Sequence, residues 1–284
     1  MSVADALVEI SRSDVGRALA GSEAAASGGS EVARALVEFL ARSQDSGVYG
    51  EPTAFEAFID GGGNRRLYER VIEDVGEVHR VLRPTSVLEV GCGDGRVVAG
   101  VVDPGLKRLD LVEPSEVLLA EAMAAFEGSD TIVSPRCETI GEFLDRGPDD
   151  RRWDLVQATF SLHSLAFSER SEVLRTLATR SNRIVIVEFD VPDFDDRSAA
   201  HAAYVAERYE EGVAEYAHAP EAVSGFLMPV MVGQFDPERP RLTYEQSADV
   251  WSSQLSDAGW HVVDLAPVHD YWWAAAFMLT ANSA

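Results

Sequence analysis

Between residues 86 and 189, short apolar-rich runs alternate with stretches whose apolar positions recur every three or four residues. The runs at 86–90, 108–112, 131–133, 153–158 and 183–189 have the length and the Val, Ile and Leu content of strands buried on both faces. Helical spacing fills the intervals at 97–101, 115–126 and 168–179. Repeated units of this size predict a parallel sheet with helices on both faces. The alternation breaks after Asp190, and about fifty residues pass before it resumes near Arg241. They hold a helical stretch at 199–216 and an apolar one at 226–232. So long an excursion inside a domain reads as a lid or insertion. Thr243 and Gln246 have capping-box spacing and predict a helix that stops at Gly259. Two last runs, 260–267 and 271–279, flank a short link with His269 and Asp270 and are expected to pair antiparallel.

Ahead of this pattern lies a different one. Residues 2–20 and 31–44 have helical spacing, as at Val32, Leu36, Phe39 and Leu40, with a Gly/Ser-rich joint at 27–30. Glycine-rich breaks at 46–50 and 61–64 precede a helix expected over 67–81. The organisation expected is a helical prefix and lid over 1–83, then an α/β domain over 84–284 with an insertion at 191–241.

At 284 residues the chain suits one large α/β domain with an appendage. Its 48 acidic against 24 basic side chains give a net charge of −24, which repels phosphate backbones and anionic lipid, so neither nucleic acid nor membrane is expected as a partner. Cys92 and Cys137, the two cysteines, lie far apart and form neither a metal-ligand spacing nor a disulfide framework, and no metal is expected. The N-terminus lacks the basic and apolar regions of a signal peptide, and no apolar run nears a membrane span, so the expected location is cytoplasmic.

The sharpest local pattern runs from Val87 to Arg96: Val-Leu-Glu-Val-Gly-Cys-Gly-Asp-Gly-Arg. A buried strand enters a glycine turn that opens a helix, where backbone can bend tightly and lie against a ligand. Many nucleoside binders share such a loop. An acidic residue ahead of G-x-G-x-G resembles the first motif of class I methyltransferases, whereas a dehydrogenase favours G-x-G-x-x-G. The resemblance spans about 84–279 and implies a seven-stranded, mostly parallel, doubly wound Rossmann-like sheet whose last strand is antiparallel. It also implies S-adenosyl-L-methionine as cofactor. The backbone of Gly91, Cys92, Gly93 and Gly95 would approach the methionyl part, with Glu89 orienting it. Glu113, 18 residues beyond Gly95 and followed by Pro114, matches the carboxylate that accepts both ribose hydroxyls. Cys137 and Glu138 match the adenine contact by position, and Gln157 on the fourth strand completes the expected cofactor set.

Beyond the fourth strand, the Asn/Asp-Pro-Pro-aromatic motif of amino and amide N-methyltransferases is absent. Leu162-His163 instead resembles the small-molecule branch. His163 is the candidate base, since its reference pKa lies near neutrality; the alternative is a packing role under the cofactor. Candidate acceptor contacts are Tyr49, Arg65, Tyr68, Glu188, Tyr204 and Met228. Asp190, His201, His218, Arg66 and His269 are further candidates nearby. The expected function is methyl transfer to an oxygen, hydroxyl or carboxylate, of a small molecule in specialised metabolism, by a protein whose helical prefix could form a homodimer. Alternatives are carbon methylation of an activated 2-oxo acid, peptide carboxyl methylation, or cofactor binding without catalysis.

Overall fold

A computed structural model describes residues 1–42, 52–146, 151–239 and 241–283. The chain divides into two compact units. The sheet unit comprises Leu67–Val191, Tyr244–Asp270 and Ala275–Ala284, and the helical unit comprises Met1–Arg66, Pro192–Thr243 and Tyr271–Ala274. Among the described residues no helix is long and apolar enough to cross a membrane.

The sheet unit holds β1 (Ser86–Val90), β2 (Arg108–Val112), β3 (Ile132–Arg136), β4 (Leu155–Thr159), β5 (Arg183–Phe189), β6 (Trp260–His269) and β7 (Ala276–Ser283). Their order is β3-β2-β1-β4-β5-β7-β6, with the first five parallel and β7 antiparallel to both neighbours. The strand order reverses between β1 and β4, and at such a switch point the loops diverge and leave a crevice. Alternation along each strand sorts the side chains. Leu88, Val90, Val156, Ala158, Ile184 and Ile186 join one core with Leu144, Leu174, Leu177, Trp251 and Leu255 from helices Ile140–Asp145, Phe167–Arg180 and Ala248–Asp257. The other face carries Glu89 and Gln157 in register. There the helix Asn64–Leu82 brings His79 Nε2 to 2.8 Å from Gln157 Oε1.

Several boundaries differ from those expected. The helix Ile140–Asp145 was not anticipated, although Thr139 and Glu142 form a true capping box before it. The box expected at 243–246 does not form: the helix starts at Ala248, and the Gln246 side chain turns inward to Arg170 and Gln254. The run expected as a strand from Tyr271 begins instead at Ala276, because Tyr271–Ala274 belongs to the helical unit and buries its tryptophans there. The helix expected over 2–20 splits at Ser13, whose φ is 60°, and Asp14 caps the second half.

In the helical unit, helices Val3–Ser11, Val15–Ser27, Glu31–Ala41, Pro52–Asp60, Ala199–Glu215 and Met228–Phe235 enclose Leu7, Leu36, Val205, Met228 and Phe235. Tyr209 meets the edges of Trp272 and Trp273, and Phe58 stacks on Phe226 at 4.1 Å. Phe226 lies in a π turn, Val223–Leu227, and π turns occur often at functional sites.

Candidate active site

The turn after β1 takes its shape from three glycines in the left-handed region, Gly91 at φ +66°, Gly93 at +53° and Gly95 at +80°. Packing reinforces two of them. A Cβ on Gly91 would come within 2.4 Å of Ser161 Cβ, and one on Gly95 within 2.8 Å of Ala122 Cα. Gly93 differs: a Cβ there would meet nothing within 4 Å, so bare backbone faces open space. Glu113, at the end of β2, holds this turn, accepting from Gly93 N at 3.0 Å and from Ser115 N at 2.9 Å. Burial raises the Glu113 pKa, against the lowering effect of those two N–H groups.

Glu89 is 2 % exposed, and its Oε2 has no hydrogen-bond partner. Burial alone pushes its pKa well above the ordinary carboxylate range. Gln157, opposite it on β4, is fully buried; Oε1 pairs with His79 while Nε2 stays unpartnered. Two unmet buried polar atoms on neighbouring strand residues are costly in a folded core. Cys92 is buried and its thiol pKa is pushed up by burial. Cys137 and Pro114 are exposed and adjacent, the thiol lying 3.5 Å from Pro114 O. Glu138 is buried, but its Oε2 is 2.7 Å from Arg146, so that oxygen faces a cation rather than a base edge.

At the end of β4, Phe160 adopts φ +49°, a strained conformation for a residue with a Cβ, and such strain gathers at functional sites. Ser161 Oγ donates to Val90 O at 2.6 Å and ties this loop to β1. Phe160 stacks on Phe189 at 4.5 Å, and Tyr68 meets Phe160 edge-on at 5.9 Å with the Arg96 guanidinium over its own ring. A 3-10 turn, Leu162–Ser164, then presents His163.

His163 is tightly held. Glu188 accepts from its backbone N at 3.1 Å through Oε1 and from Nδ1 at 2.7 Å through Oε2. The imidazole keeps 17 % exposure while Glu188 keeps 1 %. Burial lowers the His163 pKa, but the charge and hydrogen bond of Glu188, with help from Glu245, outweigh it and leave the pKa raised.

The sequence assigns Glu188 to the acceptor; the structure gives both its oxygens to His163, because Glu188 lies buried on β5, which sheet order brings beside β4. Asp190 accepts from Ala248 N and caps that helix. Met228 is fully buried, and Tyr204 donates its hydroxyl to Trp273 O, so both are framework of the helical unit. His201 is buried between Arg197 N and Gln234. Arg65, Arg66 and His218 are exposed, and His269 ends β6. Tyr49 lies outside the described residues. Phe160 and Arg170 were not singled out by sequence.

No protein-family model and no curated protein matches the chain. Solved structures do. Magnesium protoporphyrin IX methyltransferase from Synechocystis PCC 6803, with bound SAH, aligns over 81 % of this chain and 93 % of its own at 14 % identity and a TM-score of 0.54. The mitomycin 7-O-methyltransferase MmcR aligns over 84 % of this chain and 59 % of its own, at 18 % identity and a TM-score of 0.53. A Burkholderia thailandensis 1,6-didemethyltoxoflavin-N1-methyltransferase aligns over 75 % and 78 %, at 16 % identity and a TM-score of 0.51. Likeness at such identities establishes architecture, and the chain has the Rossmann-like fold of the class I S-adenosylmethionine-dependent methyltransferases.

Proposed function

We propose that the sheet unit binds S-adenosylmethionine and catalyses methyl transfer to the oxygen of a small-molecule acceptor, with His163 as general base. The observation that carries this reading is the 2.7 Å bond from His163 Nδ1 to Glu188. A carboxylate only accepts, so Nδ1 carries the proton, and the neutral imidazole keeps its lone pair at Nε2.

The residues present suit the cofactor. The unpartnered Oε2 of Glu89 fits the methionyl ammonium, with the Gln157 amide beside it. The open space at Gly93 admits a ligand against the main chain of residues 91–95. Glu113 spends one lone pair of each oxygen on Gly93 and Ser115, and a carboxylate has about four acceptor sites, so two remain for a ribose diol. Pro114 and Cys137 then border the adenine, while Glu138 stays with Arg146. Once bound, the cofactor supplies a methyl carbon on a sulfonium, open to in-line displacement. His163 Nε2 takes the acceptor's hydroxyl proton as its oxygen gains the methyl group, and Glu188 stabilises the imidazolium that results. A carboxylate acceptor needs no such base, so the dyad favours a hydroxyl. The stacked Phe160 and Phe189 favour a flat apolar skeleton around it. The neighbours' names cover both oxygen and nitrogen acceptors, so the choice of atom rests on the dyad.

Titration with S-adenosylhomocysteine tests the cofactor reading directly. A ligand at about 100 times its Kd stabilises the protein by roughly 2.7 kcal/mol, a shift of several degrees in Tm. No shift with either the cofactor or its demethylated product would overturn the proposal.

Glu89 gives a second test, with opposed signs. Its folded pKa lies above the unfolded value near 4.5, so its contribution to stability is fully present below that value and is lost as pH rises through the folded pKa. Glu89→Gln is therefore expected to raise the Tm of the ligand-free protein at pH 8.5, by about 1–2 kcal/mol or roughly 3–8 °C, and by less at pH 5.5. The same variant weakens cofactor binding. A lower ligand-free Tm at pH 8.5 would mean that a partner already satisfies the carboxylate.

A further inference from the structure

Arg170 is fully buried on the helix Phe167–Arg180, an unusual place for a permanent charge. Its hydrogen bonds all go to neutral oxygens. Nε donates to Gln254 Oε1 at 3.0 Å, Nη2 to Gln246 Oε1 at 2.9 Å, and Nη1 to the carbonyls of Leu162 at 3.3 Å and Tyr244 at 3.0 Å. The Trp251 ring lies 4.0 Å from the guanidinium carbon. Gln246 and Gln254 are themselves bonded to each other at 2.9 Å, which fixes both acceptors.

Two of these bonds bear on His163. Leu162 immediately precedes it, and Tyr244 N donates to His163 O at 2.6 Å. The guanidinium thus grips the peptide before His163 and the residue that holds the peptide after it. Glu188 completes the frame from β5.

We propose that Arg170 is a positioning residue for His163, locking from inside the core the backbone on both sides of the imidazole and setting a fixed positive charge against Glu188. This rests on His163 being the base. A buried arginine with no role in the site would be a poor choice for stability, because neutral oxygens do not repay the desolvation of its charge and apolar replacements of buried ions are often neutral or stabilising. Burial lowers the Arg170 pKa to about 10, and Glu188 is the charge that opposes the fall. The groups acting on the imidazole charge are Glu188 and Glu245, which favour it, and Arg170, which opposes it. Arg170 thus adds to burial in opposing the imidazole charge that Glu188 favours. Lysine supplies the charge but not the planar fork, and glutamine supplies a donor but not the charge.

The two functions separate in the two variants, each read by kcat, by Kd for S-adenosylhomocysteine, and by NMR titration of the His163 imidazole, assigned with His163→Ala. Arg170→Gln is expected to lower kcat about 10–100-fold with cofactor Kd unchanged, the loss that a misplacement near 1 Å brings, and to move the imidazole titration to higher pH. Arg170→Lys is expected to lower kcat comparably while the imidazole titrates near its wild-type pH. A folded Arg170→Gln with wild-type kcat and an unmoved imidazole titration overturns the proposal. Should Arg170→Gln fail to fold, Arg170→Lys decides: wild-type kcat overturns the proposal, and lost kcat with unchanged cofactor Kd supports it. Failure of the parent reading is distinguishable, since a fully active His163→Ala would remove the base while the imidazole titration still reports on Arg170.

Discussion

Replacing His163 by alanine is expected to lower kcat by about 10²–10⁴-fold, the range general-base catalysis supplies, and to leave cofactor affinity unchanged. The size follows from the single route the proton has. Nδ1 is committed to Glu188 at 2.7 Å, so only Nε2 can accept. The pH profile carries the sign. The folded pKa of His163 is raised above its reference of 6.5, so the acid limb of kcat/KM should lie above pH 6.5, with activity rising as the imidazole loses its proton. Glu188→Gln removes the main influence raising that pKa. Burial then dominates, and the limb should move to lower pH while the plateau falls, since the amide oxygen still accepts from Nδ1 but no longer stabilises an imidazolium. A limb that stays in place would show that another group sets it. Full activity in His163→Ala would return the histidine to a packing role.

Why these residues could or could not be read from the sequence depends on which of their neighbours are local. Four of the five parallel strands stand out because both faces are buried, which leaves apolar stretches such as 184–187, whereas β3 is exposed or half-buried along its length. Glu89 and Glu113 are legible for another reason: each adjoins a chain feature that needs it, a glycine turn or the strand next to one. Glu188 is legible as polar but not as a partner of His163, because 25 residues separate them and only sheet order brings β4 beside β5. Both faces of β5 are buried, so its place on the strand says that Glu188 lies inside but not which partner it meets. Arg170 left a similar trace, occupying the position before Val173, Leu174 and Leu177 on a helix whose buried face they define. Tyr271 to Trp273 misled the strand assignment because apolar content does not say which core a residue enters. Phe160 left no trace, since nothing in its chemistry announces a left-handed backbone.

Removing the Glu113 carboxylate should cost the cofactor most. Glu113→Ala is expected to weaken S-adenosylhomocysteine binding about 10–100-fold, the equivalent of one charge-assisted hydrogen bond of roughly 1.5–3 kcal/mol lost outright. The second ribose contact adds little beyond this once water can enter the gap left by the side chain. The same carboxylate also holds Gly93 N and Ser115 N, so its loss frees the turn before any ligand arrives. That predicts a distinction between variants. Glu113→Gln keeps one oxygen, enough for one of the two backbone N–H groups, and should fall between wild type and alanine in both Kd and ligand-free Tm. A purely electrostatic role would instead make the two variants equal in Kd, and a purely structural role would move Tm while Kd stayed fixed. Affinity unchanged in Glu113→Ala, measured by calorimetry in the folded protein, would remove the ribose assignment.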